Sequence, residues 1–225
     1  MSDPLPTYRG KRTFDIVVLL VVAVPLGLLG LVIAGAVRLS SPGPVLFRQD
    51  RIGAGGNAFE CLKFRTMVDG DNPLIPDQSR VTGVGRWLRR FSLDELPQLV
   101  NVARGDMSIV GPRPMLSFQA RRCAPAQHRR FAVRPGLTGL AQVSGRNTLP
   151  WSDRIALDVE YVENQSFWID LGIVARTARA VIAGNGVDGH PLDDPFVATG
   201  LGASSAPAPG SGTGPVESHA ASHHG

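Results

Sequence analysis

The sequence predicts an α+β protein: a mainly helical, membrane-associated domain with a small β-hairpin and an N-terminal membrane helix. Three observations carry that expectation. Ile16 to Val37 is a run of 22 residues without a charge. Two short apolar-alternating segments flank the cluster Gly53-Ala54-Gly55-Gly56-Asn57, the pattern of a hairpin with a long turn. In Phe167 to Ile182 the residues Trp168, Leu171, Val174, Ala178, Val181 and Ile182 fall at helical spacing. A chain of 225 residues and 23.9 kDa has length for one domain with an appendage and for a sizeable core.

Residues 1–10 form a polar, flexible lead-in, and residues 11–39 a membrane helix. A 22-residue helix is about 33 Å long against a hydrocarbon core of about 30 Å. A signal peptide has a shorter apolar core and a cleavage site of small residues, whereas this run continues into Arg38-Leu39-Ser40-Ser41-Pro42, so the segment is expected to be retained. Pro25 lies near its middle and removes one helical hydrogen bond. Arg9, Lys11 and Arg12 precede the run and Arg38, Arg48 and Arg51 follow it, and basic residues favour the cytoplasmic side. A kinked single span and a helix that bends at Pro25 and returns both remain open on these grounds.

A cytoplasmic domain spans residues 40–196. Its hairpin arms are Val45–Gln49 and Ala58–Arg65, with Lys63 and Arg65 expected on one strand face. Asp69 to Ser79 reads as a polar loop and Gly85 to Arg90 as the start of an arginine-rich helix. Ser92 followed by Glu95 matches a capping box, so a helix is expected from there to about Gly105, with Pro97 arguing for a slightly later start. Arg121 to Arg130 reads as an exposed amphipathic helix, and two further helices are expected at Ser152–Asn164 and Phe167–Ile182. Residues 197–225 are Gly, Ala, Ser and Pro with almost no large apolar residue and are expected to be a disordered tail.

The net charge of +4 conceals its distribution. Residues 48–146 hold 16 basic and 8 acidic side chains, and the rest of the chain to the C-terminus holds 3 and 9. Cys61 and Cys123 form no CxxC pair, and the histidines show no ligand spacing, so a disulfide framework and a transition-metal site are not expected. A nucleic-acid surface would also be basic, but aromatic residues are 6% and no RNP-type or zinc-finger signature occurs.

The chemistry points to Asp94 and Glu95, adjacent carboxylates among Arg86, Arg89, Arg90, Arg104 and Arg113. Acids in a first helical turn stabilise the macrodipole and need no further function. The same positive surroundings keep Asp94 ionised, which suits a nucleophile or a hard-metal ligand. Arg113 between two prolines and Arg134 before one have restrained backbones, which lessens the entropy lost when a guanidinium grips an anion. A membrane-anchored protein that binds anionic ligands without catalysis is the competing reading.

Lys11-Arg12-Thr13-Phe14-Asp15, Phe64-Arg65-Thr66-Met67, the block SLDELPQLVNVARGDMSIVGPRP from Ser92 to Pro114, and VRPGLTGLAQVSGRN from Val133 to Asn147 strongly resemble the bacterial sugar transferase family, the monotopic polyprenol-phosphate phosphoglycosyl transferases. The resemblance implies a Mg²⁺-dependent enzyme at the cytoplasmic face of the bacterial inner membrane. It would transfer a sugar-1-phosphate from a UDP-sugar to undecaprenyl phosphate, release UMP and start assembly of a surface glycan. It assigns Asp94 as the nucleophile of a covalent phosphosugar intermediate and Glu95 as its partner in metal binding or proton handling. It carries phosphate binding onto Lys63, Arg89, Arg113 and Arg134, and further onto Arg65, Gln142 and Arg146. It also favours the re-entrant course, although the family's Ser-Pro break stands here as Val24-Pro25. The implied partners are the UDP-sugar, undecaprenyl phosphate and membrane lipid, with no nucleic acid; a homodimer is left open.

Overall fold

A computed structural model describes residues 7–68, 78–145 and 149–182. The tail at 197–225, most of the polar loop, most of the lead-in and Arg146 lie outside the described residues. The described part is mostly helical with two small sheets.

Helix α1, Lys11–Ser40, is 30 residues long and includes Pro25. Residues near both of its ends pack on the domain, and those in its middle do not. Lys11, Phe14 and Asp15 are covered at one end, Ile33 and Val37 at the other, while Val21 and Val24 are each 71% exposed and Leu31 72%. The helix is long and apolar enough to cross a membrane, and a contiguous apolar surface of this kind marks an interaction site for a membrane or another apolar partner. At the first end Lys11 Nζ donates to Asp170 Oδ2 at 2.6 Å and to the Val110 carbonyl at 2.9 Å. Asp15 accepts from Ser108 Oγ and Ile109 N, and Tyr161 donates to Asp170. Arg12 donates to the carbonyls of Val102 and Ala103. At the other end Ile33 and Val37 share an apolar cluster with Phe64 and Leu88.

Strands β1, Leu46–Ile52, and β2, Ala58–Phe64, form the expected antiparallel hairpin, with Phe47 opposite Lys63, Gln49 opposite Cys61 and Arg51 opposite Phe59. Successive side chains alternate faces, so Gln49, Arg51 and Lys63 lie on one side. Helix α2, Gly83–Arg90, is N-capped by Thr82, whose side chain accepts from Gly85 N. Gly85 sits on the Thr66 backbone, where a Cβ would come within 2.1 Å of the Thr66 carbonyl oxygen, so only glycine permits this approach.

The expected capping box does not form. Ser92 is left-handed, with φ 55°, and its side chain makes no cap hydrogen bond; Leu93–Glu95 is a 3-10 turn and α3 runs from Gln98 to Arg104. The Glu95 side chain is drawn to Lys63 and Arg113 instead of folding back on Ser92. Strand β3, Ser108–Val110, pairs in parallel with β4, Gly136–Thr138. The pairing is close because glycines meet there: a Cβ on Gly111 would lie 2.5 Å from the Arg134 carbonyl, and Cβ atoms on Gly136 and Gly139 would strike the Gly111 backbone.

The exposed helix expected at Arg121–Arg130 is also not found. Helix α4 is confined to Ser117–Ala120, and a 3-10 stretch follows at Pro125–Ala132, with Arg130 buried at its end. Pro125, with Ala124 held extended before it, blocks a continuous helix across 121–130. After α5, Leu140–Ser144, the helices α6, Trp151–Asn164, and α7, Phe167–Ile182, match expectation. The main apolar core joins Phe14 of α1 to Cys61, Val102, Met107, Ile109, Tyr161 and Ile173. The side chains of Phe167, Trp168 and Leu171 remain exposed on α7.

Candidate active site

The acidic pair stands on a strained connection. Ser92 is the one non-glycine residue with positive φ among the described residues, a conformation that costs about 1 kcal/mol or more and persists only where the surrounding structure enforces it. It turns the chain out of α2 into the 3-10 turn and sets Asp94 and Glu95 beside β2. Such strain clusters where side chains must be held for function.

Glu95 is clamped. Lys63 Nζ donates to its Oε1 at 2.7 Å, Arg113 Nη2 to the same oxygen at 2.6 Å, and Arg113 Nη1 to Oε2 at 3.3 Å. Glu95 is 12% exposed and Arg113 51%. Burial pushes the Glu95 carboxyl up, but Arg113 and Lys63, as charges and as hydrogen-bond donors, outweigh it and hold it well below the usual carboxylate range. Asp94 moves the other way. Burial raises its carboxyl and the Glu95 charge adds to this, against the pull of Lys63, Arg113 and Arg89. No hydrogen bond or ion pair to its carboxylate occurs among the described residues, so its oxygens are free to react or to bind.

Two hard oxygens at Asp94 and a neighbouring carboxylate suit Mg²⁺, which uses one or two carboxylates and completes its shell with phosphate oxygens and water. No cluster of three or more metal-ligating side chains exists among the described residues, so the protein would supply only part of the shell. Asp94 fits that role as it stands. Both Glu95 oxygens are engaged by cations, so Glu95 fits it only if Lys63 or Arg113 turns elsewhere.

Of the expected anion-binding residues, Lys63 and Arg113 converge on the acidic pair. Arg89 is held by its Nε donating to Thr66 Oγ1 at 2.9 Å and lies within electrostatic reach of Asp94. Arg65 is not brought to the cluster. It is buried, 6% exposed, and its guanidinium donates to the carbonyls of Pro42 and Ser41, because β2 ends at Phe64 and the face alternation ends with it. Arg134 is exposed and makes no ion pair among the described residues. Gln142 lies on α5 next to Gly139, and both of its buried carboxamide atoms lack hydrogen-bond partners. Two residues were not anticipated as part of the site. Arg51 feels the charges of Arg113 and Glu95, and burial lowers its guanidinium to about 10. Arg130 binds the backbone of Arg113. Both donate to carbonyls, which no sequence motif marks.

A family model described as "Bacterial sugar transferase" matches residues 7–184. The chain belongs to the bacterial sugar transferase family. It is 41% identical over 195 residues to the "Uncharacterized sugar transferase EpsL" of Bacillus subtilis, covering 84% of this chain and 96% of that one. It is 46% identical to the "UDP-glucose:undecaprenyl-phosphate glucose-1-phosphate transferase" of Caulobacter vibrioides, covering 80% and 74%. It is 37% identical to the "Undecaprenyl-phosphate galactose phosphotransferase" of Salmonella typhimurium, of which only 41% is covered. This sugar transferase is therefore an enzyme of the phosphoglycosyl transferase class, and the reading as a non-catalytic anion-binding protein is set aside.

Proposed function

We propose that this sugar transferase moves a sugar-1-phosphate from a UDP-sugar to undecaprenyl phosphate through a covalent intermediate on Asp94. The observation that carries the reading is the asymmetry of the pair: Glu95 is bound by two cations, while Asp94, its neighbour, has no partner among the described residues. In the first step an Asp94 oxygen forms a bond to the β-phosphorus of the UDP-sugar. The bond from that phosphorus to the bridging oxygen breaks, and UMP leaves with the electron pair. In the second step a phosphate oxygen of undecaprenyl phosphate attacks the same phosphorus and expels the Asp94 carboxylate, giving undecaprenyl-diphosphate-sugar.

Lys63 and Arg113 hold the donor diphosphate and neutralise the charge that gathers on the departing UMP, with Arg89 screening Asp94. Arg113, half exposed and able to bond bidentately, is suited to a phosphate. Mg²⁺ would be held by Asp94, with Glu95 as a second source of oxygen; when bound it supplies further neutralisation of the diphosphate.

The same proposal gives α1 a re-entrant course at the cytoplasmic face of the inner membrane. What supports it is the burial of both helix ends in one domain, Lys11 against Asp170 and Ile33 and Val37 against Phe64 and Leu88, with exposed apolar residues between. A single span would carry one end to the far side. Surface glycan assembly is the corresponding role, given relatives named "Exopolysaccharide production protein ExoY".

The test is Asp94→Asn in membranes with undecaprenyl phosphate and a UDP-sugar labelled at the β-phosphate. UMP release should fall at least about 10³-fold, as expected when a covalent nucleophile is removed, and the label should no longer attach to the protein. Retained activity would overturn the covalent role.

A further inference from the structure

The segment Pro112-Arg113-Pro114 lacks two of its three backbone N–H groups, yet its carbonyls and the next one are all occupied. Pro112 O accepts from Gly136 N at 2.9 Å and Met115 O from Ile52 N at 2.8 Å. Arg113 O accepts from Arg130 Nη2 at 2.7 Å, and Pro114 O from Arg51 Nη1 at 3.3 Å. The two inner acceptors, the carbonyls of Arg113 and Pro114, are thus met by buried or half-buried guanidinium groups.

Arg130 is the more telling of the two. It is 4% exposed, and the same Nη2 that binds the Arg113 carbonyl lies 2.6 Å from Asp158 Oδ2 on α6. Asp158 is 2% exposed and its other oxygen has no hydrogen-bond partner, so this carboxylate is committed to Arg130. An ion pair so deeply buried gains little net stability over an apolar pair of equal volume. Its geometry aims at one backbone atom, the carbonyl of the residue whose side chain clamps Glu95.

We infer that Arg130, oriented by Asp158, is a positioning residue that fixes where the Arg113 guanidinium meets the donor diphosphate. The prolines on either side restrict the Arg113 backbone, so the height of its carbonyl sets the origin of its side chain. Both contacts are made by the single nitrogen Nη2 at the far end of the guanidinium. Lysine at position 130 is one atom shorter, so its ammonium does not reach the point where Nη2 meets both oxygens. A misplacement of about 1 Å at such a site can cost about 10²-fold in rate.

This inference rests on the reading of Arg113 as a ligand of the donor diphosphate, and the experiment separates the two. Full-length protein in lipid nanodiscs is assayed for UMP release with UDP-glucose or UDP-galactose, whichever turns over faster, in a cycle of Arg130→Lys, Arg113→Lys and the double variant. Arg130→Lys should lower kcat/KM for the UDP-sugar about tenfold, with KM for the UDP-sugar raised and KM for undecaprenyl phosphate unchanged. In the Arg113→Lys background the same substitution should cost less than twofold, because residues that act through one another are not additive. An equal loss in both backgrounds, or none in either, would overturn the positioning role. An Arg113→Lys variant with an unaltered KM would instead overturn the reading of Arg113. Should Arg130→Lys fail to fold, Asp158→Asn takes its place in the same cycle, with the same two outcomes.

Discussion

Replacing Arg65 with alanine distinguishes a structural clamp from a phosphate ligand. The side chain is 6% exposed, with two guanidinium donors on the carbonyls of Ser41 and Pro42, the turn that leads out of α1. Hydrogen bonds from a charged donor contribute about 1.5–3 kcal/mol each. Pro42 is exposed, so its carbonyl can rehydrate and the lower end of that range applies. The expected loss is therefore about 3 kcal/mol. For a chain of this size, 1 kcal/mol corresponds to about 2–4 °C, which gives a fall in Tm of about 6–12 °C. The assay is a thermal melt of the purified protein in a lipid nanodisc, paired with initial rates of UMP release below the lowered Tm. Arg65→Ala should melt early and keep its KM for the UDP-sugar, while kcat falls less than threefold. A Tm within 2 °C of the parent together with a tenfold rise in that KM would refute the clamp and restore Arg65 to the diphosphate site.

On the proposed covalent mechanism Asp94 reacts when ionised, and its carboxyl is pushed up, first by burial. Activity is therefore present above its raised value and lost as the pH falls through it, so the acid limb of kcat/KM should lie above the ordinary carboxylate value of about 4. Glu95→Gln removes a negative neighbour and releases Lys63 and Arg113, which should lower the Asp94 value; a carboxyl-selective ¹³C titration that finds it unchanged or higher would contradict this electrostatic account. For the membrane helix, Thr7→Cys and Ser41→Cys should both react with an impermeant maleimide from the cytoplasmic side of inverted vesicles. Labelling of position 7 from the opposite face would replace the re-entrant course with a single span.

The parts of this molecule that were legible in its sequence are those set by local signals. Helix α7 was expected at Phe167–Ile182 and is found there, because its apolar residues repeat at helical spacing. The hairpin followed from its glycine cluster and alternating arms. Local signals misled where a tertiary partner outbid them. Ser92 and Glu95 have capping-box spacing, but Lys63 and Arg113 bind the glutamate side chain and Ser92 adopts a left-handed turn. Arg65 follows Lys63 by two residues, yet the strand stops between them and unmet carbonyls after α1 take its guanidinium. Arg51 leaves no trace for a related reason: it binds the Pro114 backbone oxygen and has no paired acid among the described residues. Arg130 has one, Asp158, but that acid lies far along the chain on α6, at no motif spacing.

Helix α1 is more than an anchor in one respect. It contributes Phe14 to the main core and Ile33 and Val37 to a second, and it closes the Lys11–Asp170 ion pair at the base of α7. Losing one partner of such a buried pair costs about 3–5 kcal/mol, a large share of the stability of an ordinary domain. The catalytic domain is thus not a separable cargo on a lipid tether. Its folding is completed by the same helix that carries the exposed apolar surface, so cutting that helix away to obtain a water-soluble domain would also remove part of both cores.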